Sequence, residues 1–175
     1  MGLGKTIQAI GIINADDSLK RILIVCPASL RLNWKRELQK WLTREMSIQL
    51  ASPQSCEPAM TDIVIINYDI ADKLKAKLQA IEWDAVILDE MHYLKNPDAK
   101  RTQAIVGRDA KKGKDAVAGI RARRRIGLTG TPIPNRPIEG FPIFHYLDSK
   151  EFPSFFGYAK RYANAHNNGY GWDFS

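Results

Sequence analysis

The stretch AVILDEMH, residues 85–92, decides the fold of this chain. A short, continuous run of Val, Ile and Leu is typical of a buried strand in a parallel sheet. Here the run ends directly in two carboxylates, Asp89 and Glu90. A carboxylate at such a position can hold Mg²⁺, usually through water, and its neighbour can polarise an attacking water. Taken alone, the pattern more often marks a strand that simply ends in polar surface residues.

Strand-like and helix-like segments alternate outward from this stretch. Besides residues 84–89, the apolar runs at 21–26, 62–67 and 124–130 predict buried strands. Apolar residues at helical spacing predict helices between and after them. These helices cover 6–13, 29–42 with Ser29 as N-cap, 70–81, 98–106 after Pro97, about 137–147 and 151–164. The alternation predicts an α/β domain with a mostly parallel sheet flanked by helices.

The opening residues GLGKT, 2–6, match the second half of the phosphate-binding pattern G-x-x-x-x-G-K-[ST]. In that pattern Lys5 neutralises the outer phosphates and Thr6 places a hydroxyl on Mg²⁺, while the helix start contributes its positive end. The pattern's first position would precede Met1, so the motif alone is weak. Together with Asp89 and Glu90 it is the arrangement that phosphoanhydride hydrolysis needs.

A third element, IGLTGTPIPN at 126–135, places Thr129, Gly130 and Thr131 after a predicted strand. Ligands of α/β sheets bind at the carboxyl ends of strands, although a plain β-turn also explains these residues. His92 could link the acidic pair to such a neighbouring loop.

The sequence excludes a protein that crosses a membrane by helices, because no apolar run is long enough to span a bilayer. The net charge is +7 over 175 residues. Cys26 and Cys56 are expected to be reduced thiols. Residues 108–125 hold eight Lys or Arg and two Asp, a net charge of +6, so this block either attracts phosphate backbones or forms a solvated loop.

The ordered motifs resemble the first RecA-like lobe of the SNF2 family of DNA-dependent ATPases, in helicase superfamily 2. The matching stretches are MGLGKT, LIVCPASLRLNW, INYDIADKL, DEMHYLKN and LTGTPIPNRPIE. The tail KRYANAHNNGYGWDFS resembles the annealing-helicase (HARP-like) branch with its phage and bacterial relatives. The resemblance implies a P-loop NTPase lobe over 1–150, lacking that lobe's first strand, and the start of a helical or linker segment over 151–175.

The resemblance also implies roles for matching residues, with ATP and Mg²⁺ as cofactors. By this resemblance, the residues that contact the ATP phosphates are Gly2, Leu3, Gly4, Lys5 and Thr6. The residues that bind Mg²⁺ are Thr6 and Asp89. Lys5, Asp89 and Glu90 are catalytic, whereas His92 and 129–131 couple the ATP site to DNA movement. Pro27 and Ser29 lie near the DNA backbone, where contacts carry no sequence information. From the basic block, Arg123, Arg124 and Arg125 are further candidates for DNA contacts.

Partners implied by the resemblance are DNA and a second RecA-like lobe, normally in the same longer chain, with no membrane. The expected location is the cytoplasm of a prokaryotic or phage-infected cell, or the nucleus of a eukaryote. The upstream strand, the second lobe and its arginine fingers are not in the sequence. We therefore expect residues 1–175 alone to hydrolyse ATP poorly or not at all.

Two alternative functions fit the residues less well. A non-catalytic DNA- or protein-binding module with a vestigial ATPase lobe should have lost part of the site, but Lys5, Asp89 and Glu90 are all present. Another kind of P-loop enzyme, such as a small-molecule kinase, does not fit the Asp-Glu-x-His box or the third element.

Overall fold

A computed structural model describes residues 3–108, 115–131, 136–169 and 171–174. Five strands form one sheet in the order β2-β3-β1-β4-β5, and every neighbouring pair is parallel. The prediction of a mostly parallel α/β domain is confirmed. The strands are β1 (Ile22–Cys26), β2 (Ile48–Leu50), β3 (Ile63–Asn67), β4 (Trp83–Asp89) and β5 (Ala122–Leu128).

Helices cover both faces of the sheet, because successive strand residues point to opposite sides. On one face Ile22, Ile24 and Cys26 pack with α1 and α2; on the other, Leu23 and Val25 pack in a cluster that includes α3, α4 and α5. The helices are α1 (Lys5–Ala15), α2 (Arg31–Trp41), α3 (Ala71–Gln79), α4 (Lys100–Ile105), α5 (Phe141–Leu147) and α6 (Phe155–Tyr162).

Strands β1 and β3 are buried along their whole length, and so is most of β4, as their apolar sequences predict. The prediction of a buried strand at 124–130 is wrong in two respects. β5 begins at Ala122 and ends at Leu128, and it is only partly buried, with Arg123 and Arg124 exposed. Among the described strands it lies at the end of the sheet order, and the helices that cover the centre leave its first half open.

Several details of the helices differ from the sequence-based expectation. Ser29 is not an N-cap: it lies in a 3₁₀ turn, Ala28–Leu30, and α2 begins after it at Arg31 without a side-chain cap. Ile7 and Trp41 are exposed, although both follow the apolar spacing that predicts the helices at 6–13 and 29–42. β2 was missed because three half-buried residues give too little pattern.

The tail forms a small antiparallel hairpin, in which β6 (His166–Asn167) pairs with β7 (Trp172–Asp173). Trp172 packs on Phe156 of α6 with ring centroids 5.4 Å apart, and Phe174 packs on Phe155. The α6 helix is shorter than the predicted 151–164, since it starts after the N-cap Ser154.

No helix in the described ranges combines the length and apolar character that crossing a membrane requires. Cys26 and Cys56 are buried free thiols, as expected. Burial raises the pKa of Cys26 to about 12, which keeps this thiol protonated and unreactive at neutral pH.

Candidate functional site

The described residues of the predicted nucleotide site lie at one edge of the sheet, because parallel strands end at the same edge. Asp89 ends β4, and Thr129 follows the end of β5 directly. Helix α1 runs back from this edge: Asp16 at its far end forms a 2.9 Å ion pair with Arg124, near the start of β5. The first residue of α1, Lys5, lies close enough to Asp89 for its charge to oppose part of the rise that burial causes in the pKa of that carboxyl.

The turn into α1 has the geometry of an anion site. Gly4 has φ 68° and ψ 30°, a left-handed conformation that glycine adopts without strain. The N–H groups of the first helical turn have no intrahelical partner and carry the positive end of the helix dipole. Lys5 and Thr6 occupy that turn and are half-buried, while Leu3 is exposed. Gly2 lies outside the described residues.

Asp89 is buried and held by two N–H donors. The Trp34 indole Nε1–H donates to Oδ2 over 2.8 Å, and the Glu90 backbone N–H donates to Oδ1 over 3.0 Å. The Tyr68 hydroxyl donates to the Asp89 carbonyl oxygen over 2.7 Å. Burial raises the pKa of Asp89, and the hydrogen bond from Trp34 opposes that rise because it favours the charged form.

Trp34 and Tyr68 are site residues that sequence reasoning missed. Trp34 lies at the apolar spacing of the predicted helix 29–42, which favours a core position, and it is fully buried, as is Tyr68. The available signal was chemical: a buried indole or phenol needs a hydrogen-bond acceptor. Which acceptor it finds depends on tertiary contacts between residues 55 or 21 positions apart, which periodicity does not give.

Glu90, His92 and Thr129 form a compact polar triangle beside Asp89. Glu90 Oε2 lies 3.3 Å from His92 Nδ1 and 3.5 Å from Thr129 Oγ1, and the latter two atoms are 3.4 Å apart. The predicted link through His92 is therefore present in the structure. Thr131 donates its N–H to Thr129 Oγ1 over 3.1 Å across Gly130, and residues 132–135 lie outside the described part.

Glu90 also has an unusual backbone. Its φ of 51° lies in the left-handed region, which costs a residue with a Cβ about 1–2 kcal/mol. Strained conformations of this kind cluster at functional sites, where the surrounding structure enforces them. The left-handed conformation of Glu90 turns the chain sharply at the end of β4, between Asp89 and the 3₁₀ turn Met91–Leu94.

Pro27 and Ser29 follow β1 and therefore lie at the same edge as Asp89. The Leu30 N–H closes their turn by donating to the Pro27 carbonyl over 2.9 Å. Ser29 is exposed and Pro27 half-buried, so the turn presents a hydroxyl to solvent.

The structure does not bring the arginines of the basic block to this edge. Arg123 lies 3.8 Å from Asp84 at the start of β4 and donates to Ser18, while Arg124 pairs with Asp16. Arg125 donates to the Tyr146 carbonyl over 2.8 Å and its guanidinium lies over that ring. These contacts place all three near the opposite edge or against α5, and residues 109–114 are outside the described part.

The residues at the edge fit a magnesium–nucleotide. Mg²⁺ at such sites binds one or two protein oxygens and completes its shell with water and substrate phosphates. The Asp89 carboxylate and the Thr6 hydroxyl have oxygens of this kind, and Lys5 has a positive charge of the kind that phosphates bind. No group of three or more His, Cys, Asp or Glu that could hold a metal by itself occurs in the described residues.

Comparison with known proteins decides the family, because the model of the SNF2-related domain matches residues 1–170. The chain belongs to the SNF2-related family. Its parallel sheet and helices form a RecA-like fold, that of a helicase-like first lobe of this family. Of its solved relatives, the Sulfolobus solfataricus SWI2/SNF2 ATPase core in complex with dsDNA is 25% identical, with a TM-score of 0.75 over 94% of this chain and 33% of that one.

Curated relatives are longer proteins. The mouse DNA annealing helicase and endonuclease ZRANB3 is 35% identical over 99% of this chain and 16% of its own length. The chicken DNA repair and recombination protein RAD54B is 34% identical over 93% of this chain and 18% of its own length. The chain therefore spans less than a fifth of these SNF2-family relatives.

The buried carboxylate of Asp89 predicts a stability cost at neutral pH. Because its folded pKa is raised above the ordinary 3.8, the unfolded state ionises first as pH increases, and the wild type loses stability across that interval. Asp89→Asn lacks this loss. Asparagine sets its NH2 group against one of the two N–H donors, a cost that does not depend on pH. In urea unfolding of the ligand-free chain, the stability of Asp89→Asn relative to wild type should therefore rise from pH 4 to pH 7. A relative stability that stays constant or falls over this range would contradict the prediction.

Proposed function

We propose that this chain is the ATP-binding lobe of an SNF2-type DNA-dependent ATPase that couples ATP hydrolysis to translocation on DNA or its remodelling. One observation carries the proposal: Lys5 and Thr6 at the start of α1 lie at the sheet edge where Asp89 and Glu90 end β4. Phosphate-binding and water-activating groups thereby share one site.

Each residue has a distinct task in this proposal. The first turn of α1, with Lys5, binds the phosphates, and Thr6 and Asp89 hold Mg²⁺, which when bound neutralises charge developing on the phosphates. Glu90 orients the attacking water and accepts its proton. The left-handed backbone at Glu90 aims this carboxylate away from the strand axis and toward His92 and Thr129.

The polar triangle of Glu90, His92 and Thr129 connects the proposed ATP site to the segments that follow β4 and β5. Thr129 and Thr131 begin the loop after β5, and His92 lies in the 3₁₀ turn after β4, so a shift of either segment changes the surroundings of the Glu90 carboxylate. We propose that this is how the ATP site is coupled to DNA movement. The contacts are 3.3–3.5 Å long, which leaves room for them to tighten when nucleotide binds.

For DNA, the exposed turn at Pro27 and Ser29 is the better supported contact. It lies at the same edge as the nucleotide site, and its hydroxyl can bind a phosphate without reading base sequence. Arg123 and Arg124 already pair with carboxylates near the other edge. A DNA partner is also supported by the related Sulfolobus solfataricus ATPase core, which was solved in complex with dsDNA.

A second RecA-like lobe completes the proposed ATPase. Arginine fingers supplied from outside a P-loop lobe contribute about 10³–10⁵-fold in rate. The chain covers 33% of the solved ATPase core chain, which leaves ample length there for such a lobe. Residues 1–175 alone should therefore bind nucleotide but turn it over slowly.

The alternative function is a DNA- or protein-binding module that uses no ATP. Its support is limited to the exposed aromatic surface of α6 and the hairpin, where Phe156 is 50% and Trp172 43% exposed. Such a module has no use for a strained Glu90 or a buried Asp89, whereas an ATPase site uses both. Nucleotide binding separates the two functions.

Lys5→Ala should weaken binding of a fluorescent ATP analogue in Mg²⁺ by tenfold or more, since a hydrogen bond to a charged group contributes about 1.5–3 kcal/mol. Lys73→Ala on exposed α3 is the matched control and should bind like wild type. Neither protein should show DNA-stimulated ATP turnover. Equal affinity of Lys5→Ala and wild type would contradict the site, and stimulated turnover by residues 1–175 would contradict the need for a second lobe.

Ser29→Asp should weaken binding to a DNA duplex and reduce the slope of log affinity against log salt, because it places a negative charge beside a phosphate. Met60→Asp adds the same charge to an exposed loop before β3, at the opposite edge, and should change neither quantity. Arg123→Gln with Arg124→Gln tests the basic-block prediction. A reduced salt slope in that variant but not in Ser29→Asp would move the DNA contact to the block.

A further inference from the structure

We propose that Trp34 is a positioning residue for nucleotide-bound Mg²⁺: its indole N–H fixes the Asp89 carboxylate in the orientation that receives the metal. The inference rests on the proposed function, since it gives Asp89 its task. It adds a residue from α2, which neither the phosphate-binding turn nor the Asp-Glu-x-His box contains.

The geometry holds the carboxylate at both oxygens. Trp34 Nε1–H donates to Oδ2 over 2.8 Å, and the Glu90 N–H donates to Oδ1 over 3.0 Å. One donor comes from a helix packed on the sheet and the other from the backbone directly after β4. Two donors on two oxygens set the rotation of the carboxylate plane, which a single donor would leave free.

The hydrogen bond that the Trp34 indole makes differs from the one made by the other buried tryptophan, Trp83. Trp83 is also fully buried, but its Nε1–H donates to the Leu78 backbone carbonyl over 2.9 Å. That bond satisfies a polar group and serves packing alone. Trp34 instead donates to a charged side chain, and hydrogen bonds to charged acceptors are the stronger and more directional class.

The hydrogen bond from the Trp34 indole leaves the Asp89 carboxylate able to bind Mg²⁺. Each carboxylate oxygen has two acceptor sites, so one protein donor on each still leaves room for Mg²⁺ or its bound water. The helix that carries Trp34 starts at Arg31, directly after the exposed turn that contains Ser29. A displacement of α2 therefore moves the indole relative to Asp89 and changes the orientation of the Asp89 carboxylate.

Trp34→Phe is the direct test, with Trp83→Phe as a matched control that also removes one buried indole N–H. A fluorescent ADP analogue is titrated in Mg²⁺ and again in EDTA. Trp34→Phe should lose about tenfold in affinity with Mg²⁺, the usual effect of losing a hydrogen bond to a charged group, and none in EDTA. Trp83→Phe should match wild type in both titrations.

A spectroscopic measurement on folded protein complements this test. In protein with ¹⁵N-labelled tryptophan, the Trp34 indole N–H resonance should shift in Asp89→Asn and on addition of Mg²⁺–ADP. The Trp83 resonance should stay in place. This measurement decides the matter if Trp34→Phe does not fold.

The outcomes separate this inference from the function on which it rests. Wild-type protein whose ADP affinity ignores Mg²⁺ would contradict the proposed function and the inference together. Mg²⁺-dependent binding that is intact in folded Trp34→Phe, or a Trp34 resonance indifferent to Asp89→Asn and Mg²⁺–ADP, would contradict the inference alone.

Discussion

Parallel pairing of β4 with β1 on one side and β5 on the other is the constraint on which the rest of the structure depends. It brings residues that are distant in sequence to one edge: the turn after β1, the carboxylates after β4 and the threonines after β5. Helix α1 then has to start at that edge, because it runs antiparallel to the strands and feeds into β1. Strand pairing and the direction of α1 thus bring the proposed phosphate-binding helix start and the proposed metal-binding carboxylate to the same edge.

The site is built at a cost to the fold. Asp89 is a carboxylate within the core, and Glu90 has a backbone conformation that residues with a Cβ avoid. Surrounding groups offset these costs: Trp34 and the Glu90 N–H satisfy the carboxylate, and Tyr68, stacked on Tyr93 at 5.1 Å, satisfies the Asp89 carbonyl. The buried polar network therefore satisfies the polar groups of Asp89 and also orients its carboxylate.

Sequence reasoning predicted what depends on local pattern. The apolar strands, their parallel arrangement and the placement of Lys5 near Asp89 follow from runs of Val and Ile, strand–helix alternation and motif spacing. Partners chosen by tertiary packing were not predictable: Trp34 looked like core, and Arg125 looked like a free cation although it lies over Tyr146. The same limit explains β5, whose apolar end suggested burial while its place in the sheet left its first half open.

The central claim, that residues at this edge hold a metal–nucleotide, is tested most directly by replacing Mg²⁺ with paramagnetic Mn²⁺ in the presence of ADP. The account predicts strong NMR line broadening of the Thr6 methyl, Asp89 and His92 signals, with Asp16 and Arg124 at the far end of α1 left sharp. Broadening centred on the far end, or no selective broadening at saturating Mn²⁺–ADP, would contradict it.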